Sequence, residues 1–171
     1  MSKVTLSSVE LMHVAVAGIM RRVSALNKSR GAQHGITPDR EWQADIEGLA
    51  GEYVLAKHLG KFWQPVVGRL DTDEGDVHGL QVRTTAWKNG CLIVNKKDPD
   101  DDPFVLVTGD NSVGFNWYIR GWMYGRDAKK DEWWKAKQKD RYAYFVEQKH
   151  LRPMHELIDL SDKGGHNVHT P

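Results

Sequence analysis

Asp71-Thr72-Asp73-Glu74-Gly75-Asp76-Val77-His78-Gly79-Leu80-Gln81-Val82-Arg83-Thr84-Thr85 decides what kind of fold this chain can adopt. Residues two apart on a strand share a face, so Leu80, Val82 and Thr84 point one way while Gln81, Arg83 and Thr85 point the other. The apolar set goes to a core, which leaves Gln81 and Arg83 projecting together. Val77-His78-Gly79 is a short turn. A hairpin partner therefore ends near Asp76 and places its carboxylate beside Gln81.

Downstream of this strand, Leu92 to Val94, Phe104 to Val107, Trp117 to Ile119 and Ala143 to Val146 are rich in β-branched and aromatic residues and bounded by Gly, Asp, Asn or Pro. Val66-Val67 reads as a further short strand upstream. Asp127 to Asp140 is polar and is expected to be helical. Upstream, Val9, Met12, Val16, Ile19, Met20 and Val23 recur at helical spacing, so about the first 26 residues read as one amphipathic helix with a polar face. A second helix starts with Thr37 as cap, Pro38 at the first helical position, and Asp39 and Glu41 at the positive end of its dipole. Its stripe runs Trp42, Ile46, Leu49, Tyr53, with Leu59 near the end and Gly60 as the stop. Two helices, a run of strands, a helix and a closing strand make an α/β or α+β fold with a mixed sheet flanked by helices. The reading is one domain over residues 1–160, made of an N-terminal helix and connector (1–36), a core helix and sheet (37–125), and a basic helix with closing strand (126–160). A flexible tail, 161–171, follows.

Composition narrows the function. The 171 residues carry 24 Lys+Arg against 23 Asp+Glu, a net charge of +1, which excludes a protein that coats nucleic acid by charge alone. The single Cys91 cannot form an internal bridge, so a disulfide-framed secreted fold is excluded and a cytosolic protein is expected. Leu11 to Met20 is the most apolar stretch, but His13 interrupts it and Arg21 and Arg22 follow it. It is neither a membrane span nor a signal peptide. The glycines are scattered singly, so a nucleotide cofactor is not expected.

The chemistry gathers around the first strand. The Asp76 carboxylate, the Gln81 side-chain oxygen and the Val82 carbonyl offer hard oxygen ligands, with Arg83 as an electrostatic partner for a phosphate. Glu52 supplies a second acid. It lies three residues after Leu49, at the border of the packed face of the second helix. The helical Gly51-Glu52-Tyr53, the strand-end Gly75-Asp76 and the following Gln81-x-Arg83 together resemble the PD-(D/E)xK superfamily of restriction-endonuclease-like nucleases. Leu92 to Val94, Phe104 to Val107 and Gly121-Trp122 look like small phage and prophage members of that group, and the resemblance spans about Ile46 to Trp122.

That resemblance implies a mixed sheet flanked by helices, and Mg²⁺ or Mn²⁺ ions that cleave a DNA phosphodiester with an activated water. Glu52, Asp76 and Gln81, with the Val82 carbonyl, would hold metal, Gln81 standing in the slot usually held by Glu or Asp. Arg83 would stand in the slot of the catalytic Lys. A Gln oxygen still ligates Mg²⁺ with one negative charge fewer. A guanidinium stays charged, holding a phosphate but not deprotonating a water.

Other clusters are weighed beside this one. From Arg126 to Arg141 there are seven Lys/Arg against four acids, a net +3. Lys129, Lys130, Trp133, Trp134, Lys135 and Lys137 make that segment a nucleic-acid-binding candidate, since cations track a backbone while aromatics stack on bases. Arg21, Arg22, Lys28 and Arg30 form a second basic excess that could flank a substrate groove. Asp98 to Asp102 lacks the ligand spacing of a calcium loop and reads as a solvated loop away from any binding face. His150, His155, His166 and His169 lack a nearby cysteine to complete a zinc set. Two other readings remain: a catalytically silent nucleic-acid-binding module on the same fold, and a protein-interaction accessory or counter-defence factor. The oligomeric state is open, a homodimer included. Of the tryptophans, Trp42, Trp117 and Trp122 are expected in the core, and Trp63 and Trp87 beside the hairpin.

Overall fold

The computed structural model describes residues 1–28, 40–67, 75–138 and 141–157. Its elements are β1 (Ser2–Thr5), α1 (Ser8–Asn27), α2 (Glu41–His58), β2 (Gln81–Thr85), β3 (Leu92–Val94), β4 (Pro103–Thr108), β5 (Asn116–Tyr124), α3 (Gly125–Ala128), β6 (Trp134–Gln138) and β7 (Arg141–Val146). Four strands form a mixed sheet in the order β1-β5-β4-β2, with β2 parallel to β4 and the other pairs antiparallel. A separate antiparallel sheet has the order β3-β7-β6. The fold is α+β, as its pattern of elements suggests.

Strand β4 shows why the layers stack as they do. Phe104-Val105-Leu106-Val107 is apolar without interruption and buried throughout, the signature of a strand covered on both faces. Val105 and Val107 pack with Leu49, Val54, Leu55 and Val14 of the helices. Phe104 and Leu106 pack with Leu92, Val94 and Val146 of the small sheet. Three layers follow: helices, mixed sheet, small sheet. On β5 the face toward the helices switches from odd residues (Trp117, Ile119) to even (Trp122). The switch comes from a bulge, in which Val107 pairs with Ile119 and Leu106 with Gly121, leaving Arg120 as the extra residue. Gly121 takes φ +149° there, where a Cβ would lie 2.5 Å from the Arg152 carbonyl oxygen.

Helix α2 is the central helix. Gly18 of α1 meets it so closely that a Cβ would come within 2.8 Å of the Ile46 Cα. Arg22 reinforces the contact with ion pairs to Glu41 and Asp45. At its end Gly60, with φ +63°, donates its N–H to the Lys57 carbonyl, and Lys61 donates to that of Ala56, a Schellman stop.

Several expectations are corrected. The N-terminal segment is a strand followed by a helix. Helix α1 begins at a capping box in which Glu10 N–H donates to the Ser7 hydroxyl and Ser7 N–H to the Glu10 carboxylate. Its conspicuous stripe is exposed: Val9, Met12, Val16, Ile19, Met20 and Val23 lie between 43% and 64% accessible, while Val14, Ala17 and Gly18 face the core. Trp42 is also exposed, whereas Trp117 and Trp122 are fully buried. Val66-Val67 is not a strand. Within 127–138 the expected helix gives way to the single turn α3, a 3-10 turn at Asp131–Trp133, and strand β6, which pairs with β7 through Trp134 opposite Tyr144. The expected cap at Thr37 to Asp39, the histidines at 166 and 169, and the tail lie outside the described residues. Among the described residues no helix is long and apolar enough to cross a membrane.

Candidate functional site

The site begins with a glycine. A Cβ on Gly51 would sit 1.8 Å from the Thr84 hydroxyl oxygen, so only glycine lets α2 rest directly on β2. That seating carries the next residue, Glu52, into the interior, where it is 4% accessible. Its Oε1 accepts from Arg21 at 3.0 Å, and Arg21 is itself held by the Val66 carbonyl. Oε2 is buried without a hydrogen-bond partner. The Trp63 indole N–H faces the same carboxylate without making a hydrogen bond, and its ring meets Tyr53 edge-on at 5.0 Å.

The Asp76 charge acts on this carboxylate from the sheet. The turn after it closes through Asp76 N–H and Val77 N–H donating to the Leu80 carbonyl, with His78 and Gly79 at positive φ. The Asp76 Oδ2 then accepts the Val82 N–H at 2.7 Å. Strand β2 ends the mixed sheet, so this carboxylate caps an otherwise open edge. A residue's N–H and C=O leave a strand on the same side, so the Val82 carbonyl opens onto the edge that Asp76 occupies.

The electrostatics follow from this packing. Burial pushes the Glu52 carboxyl up to about 7; the Arg21 guanidinium opposes that rise, and the neighbouring Asp76 charge adds to it. The buried Glu52 carboxylate, with one orphaned oxygen and the Asp76 charge nearby, is short of positive charge. Among the described residues no three His, Cys, Asp or Glu side chains converge to hold a metal ion. Asp71 to Glu74, the rest of the acidic run, lie outside the described residues.

Gln81 and Arg83 do share one face of β2, but it is the face opposite Val82, which packs among the helices. Gln81 donates to Asp102 at 3.0 Å. Arg83 donates to the Ile93 carbonyl at 3.2 Å and to Asp98 at 2.8 Å, its guanidinium 4.9 Å from the Phe104 ring centre. The acidic loop therefore lies against the very residues from which it was expected to be distant. It also takes up part of the basic segment: Arg126 pairs with Asp101, and Lys129 with Asp100 and the Asp98 carbonyl. Lys130 lies over the buried Trp133, 5.0 Å from its ring centre, while Trp134 stacks on Tyr142 and Lys135 is exposed. The Lys137 side chain lies outside the described residues.

Sequence reasoning put Arg21 in a basic excess that could flank a substrate groove and Trp63 beside the hairpin, but it missed that Arg21 is the Glu52 counter-ion and that Trp63 faces the same carboxylate. Trp63 also lines a depression of about 360 Å³ together with His13, Tyr53, Lys57, Lys61 and Phe62, an aromatic and basic surface beside the acid pair. Only the local mixture of Lys and aromatics from Lys57 to Trp63 signals it in the sequence. Comparison with protein-family models, with curated proteins and with solved structures returns no match to this chain.

Proposed function

We propose that the chain is a Mg²⁺- or Mn²⁺-dependent DNA nuclease of the PD-(D/E)xK kind, its metal held by Glu52, Asp76 and the Val82 carbonyl. The observation that carries this reading is the orphaned Glu52 Oε2 beside Asp76 at the open edge of β2. The donors are all hard oxygens, which suits these ions. When bound, the metal supplies a water acidified toward neutral pH and a Lewis acid for the phosphate. The chain's own residues prepare for that. Arg21 fixes Glu52 through one oxygen and leaves the other for a cation. The Val82 N–H orients Asp76. Trp63 walls the corner, and Lys61 and His13 on the adjoining depression favour an incoming phosphate backbone. Gln81 and Arg83, one face away, tie the acidic loop to the strand.

The test is digestion of plasmid and of single- and double-stranded oligonucleotides in Mg²⁺ or Mn²⁺, with Asp76→Ala and Glu52→Gln alongside. Loss of a metal ligand is expected to cut the rate by at least about 10²-fold, several kcal/mol of transition-state stabilisation. Mn²⁺ should raise the melting temperature of the wild type and of neither variant. Equal cutting by wild type and Asp76→Ala would sink the assignment. The Arg83–Asp98 pair favours a second reading, a binding module without catalysis, because the slot of the catalytic Lys holds a cation already neutralised. Salt-sensitive DNA binding without cleavage in either metal would establish that reading instead.

A further inference from the structure

We propose that this chain forms a two-fold dimer through α1, with the exposed face of one copy packed against the same face of a second. The exposed apolar residues are spaced alternately three and four apart: Val9, Met12, Val16, Ile19, Val23 and Leu26. That is a strict heptad seam, narrower than the broad apolar stripe of a helix that packs on a globular core. Valine occupies every a position, and Met12, Ile19 and Leu26 occupy d, a composition that suits a two-helix seam.

The helix has already satisfied its own core with its opposite face, through Val14, Ala17 and Gly18. Its apolar face is thus additional to what the fold needs. Together with Met20 beside it, the seam exposes roughly 600 Å² of apolar surface, the size of patch that marks an interaction site and close to the ~800 Å² per partner of a standard interface.

The occupant is argued by what each alternative would need. The segments outside the described residues, 29–39, 68–74, 139–140 and 158–171, contain only Ile36, Leu70, Ile158, Leu160 and Val168 as larger aliphatics, so none carries a matching stripe. A lipid surface would call for cations along the helix flanks. Arg21 and Arg22 are instead committed inward, to Glu52 and to Glu41 and Asp45. The seam's flanks carry His13, Met20 and Asn27 on one side and Ser8, Ala15 and Arg22 on the other, and Arg22 is buried in its ion pairs to Glu41 and Asp45, so a second copy brings no free opposing charges to it. A two-fold pairing also closes on itself and leaves no further copy of the face open.

Sedimentation velocity on the full chain, free of metal and DNA, tests this independently of any nuclease activity. The expected result is a species of twice the 19.5 kDa chain mass. Ile19 lies near the helix midpoint and meets the partner helix in either orientation. Ile19→Glu and Ile19→Lys should each weaken the dimer by at least about 10²-fold, through like charges brought face to face. Both should keep the circular dichroism and melting cooperativity of the wild type, since Ile19 is exposed in the single copy. Mixing the two variants should restore a dimer. A wild type that stays monomeric overturns the proposal, whether the face is then found covered by residues 158–171 in hydrogen exchange or found to bind anionic vesicles. A dimer that survives both substitutions overturns it as well, by placing the contact elsewhere.

Discussion

Glu52 is where sequence, packing and chemistry meet in one side chain. A carboxylate this deep is costly unless something pays its charge, and Arg21 answers only one of its two oxygens. In metal-free protein the folded carboxyl therefore holds its proton up to about 7, against an ordinary value of 4.5. A folded pKa above the unfolded one means that stability is fully present below about 4.5 and falls as pH rises through 7. The shift corresponds to about 3 kcal/mol of stability. Urea titrations in EDTA at pH 5 and pH 8 should show the wild type losing stability across that interval, by an amount that Glu52→Gln removes. Gln keeps the shape and still accepts from Arg21, so the difference between the two proteins isolates the charge. An identical pH dependence for both would show that Glu52 is ionised at ordinary carboxylate values. Glu52 was legible as a candidate because helical spacing put it at the edge of a packed face. Its counter-ion was not, because Arg21 is distant in sequence and reaches it through the α1–α2 crossing.

At the scale of elements, one glycine sets the height of α2 above the sheet. In Gly51→Ala the new methyl would meet the Thr84 hydroxyl at 1.8 Å and the Thr84 Cβ at 2.8 Å, so the helix must lift. Overpacking of this kind costs about 1–3 kcal/mol. Thr84→Ala in the same chain removes the hydroxyl and methyl contacts but keeps the Cβ at 2.8 Å, so it should recover only part of that loss, and urea melts of the two single variants and the double would close the cycle. A harmless Gly51→Ala would mean that α2 does not rest on β2 as described. Strands β2, β3, β4, β5 and β7 were readable, because period-two alternation and the unbroken apolar run of β4 depend only on local pattern, whereas β1 and β6 were not. Helix α1 was legible in kind and misleading in orientation. Its strongest stripe faces outward, because small Ala17 and Gly18 permit a closer approach to α2 than Val16 or Ile19 would, and close packing outweighs apolar content on that side. Residues 127–138 misled in kind, since their polar character gave no sign that Trp134 would stack across a strand pair with Tyr142 and Tyr144.

At the scale of the molecule, the near-zero charge is less an average over distant patches than the result of local cancellation. Asp98, Asp100 and Asp101 pair with Arg83, Lys129 and Arg126, so the loop after β3 neutralises the cations that seemed destined for a phosphate backbone. None of this follows from the linear sequence, where the acids stand 15 to 29 positions away from their partners and only the three-layer stack brings them together. The acids can be separated by what they support. Asp98 also accepts from the Asn95 N–H and so braces its own turn. Asp100 and Asp101 are largely exposed, so removing their charges leaves the fold within about 0.5 kcal/mol. In the double variant Asp100→Asn/Asp101→Asn the net charge rises by two and Arg126 and Lys129 are released. If those cations border the path of a nucleic acid, affinity for duplex DNA at low salt should rise several-fold, and the dependence of log K on log salt should steepen by up to about two units. Fluorescence anisotropy across a salt series measures both. An unchanged slope would place the path elsewhere, on the Lys61 and Phe62 side of the Glu52 corner. Substituting Lys61 in the same assay should then reduce the slope that the double variant left untouched.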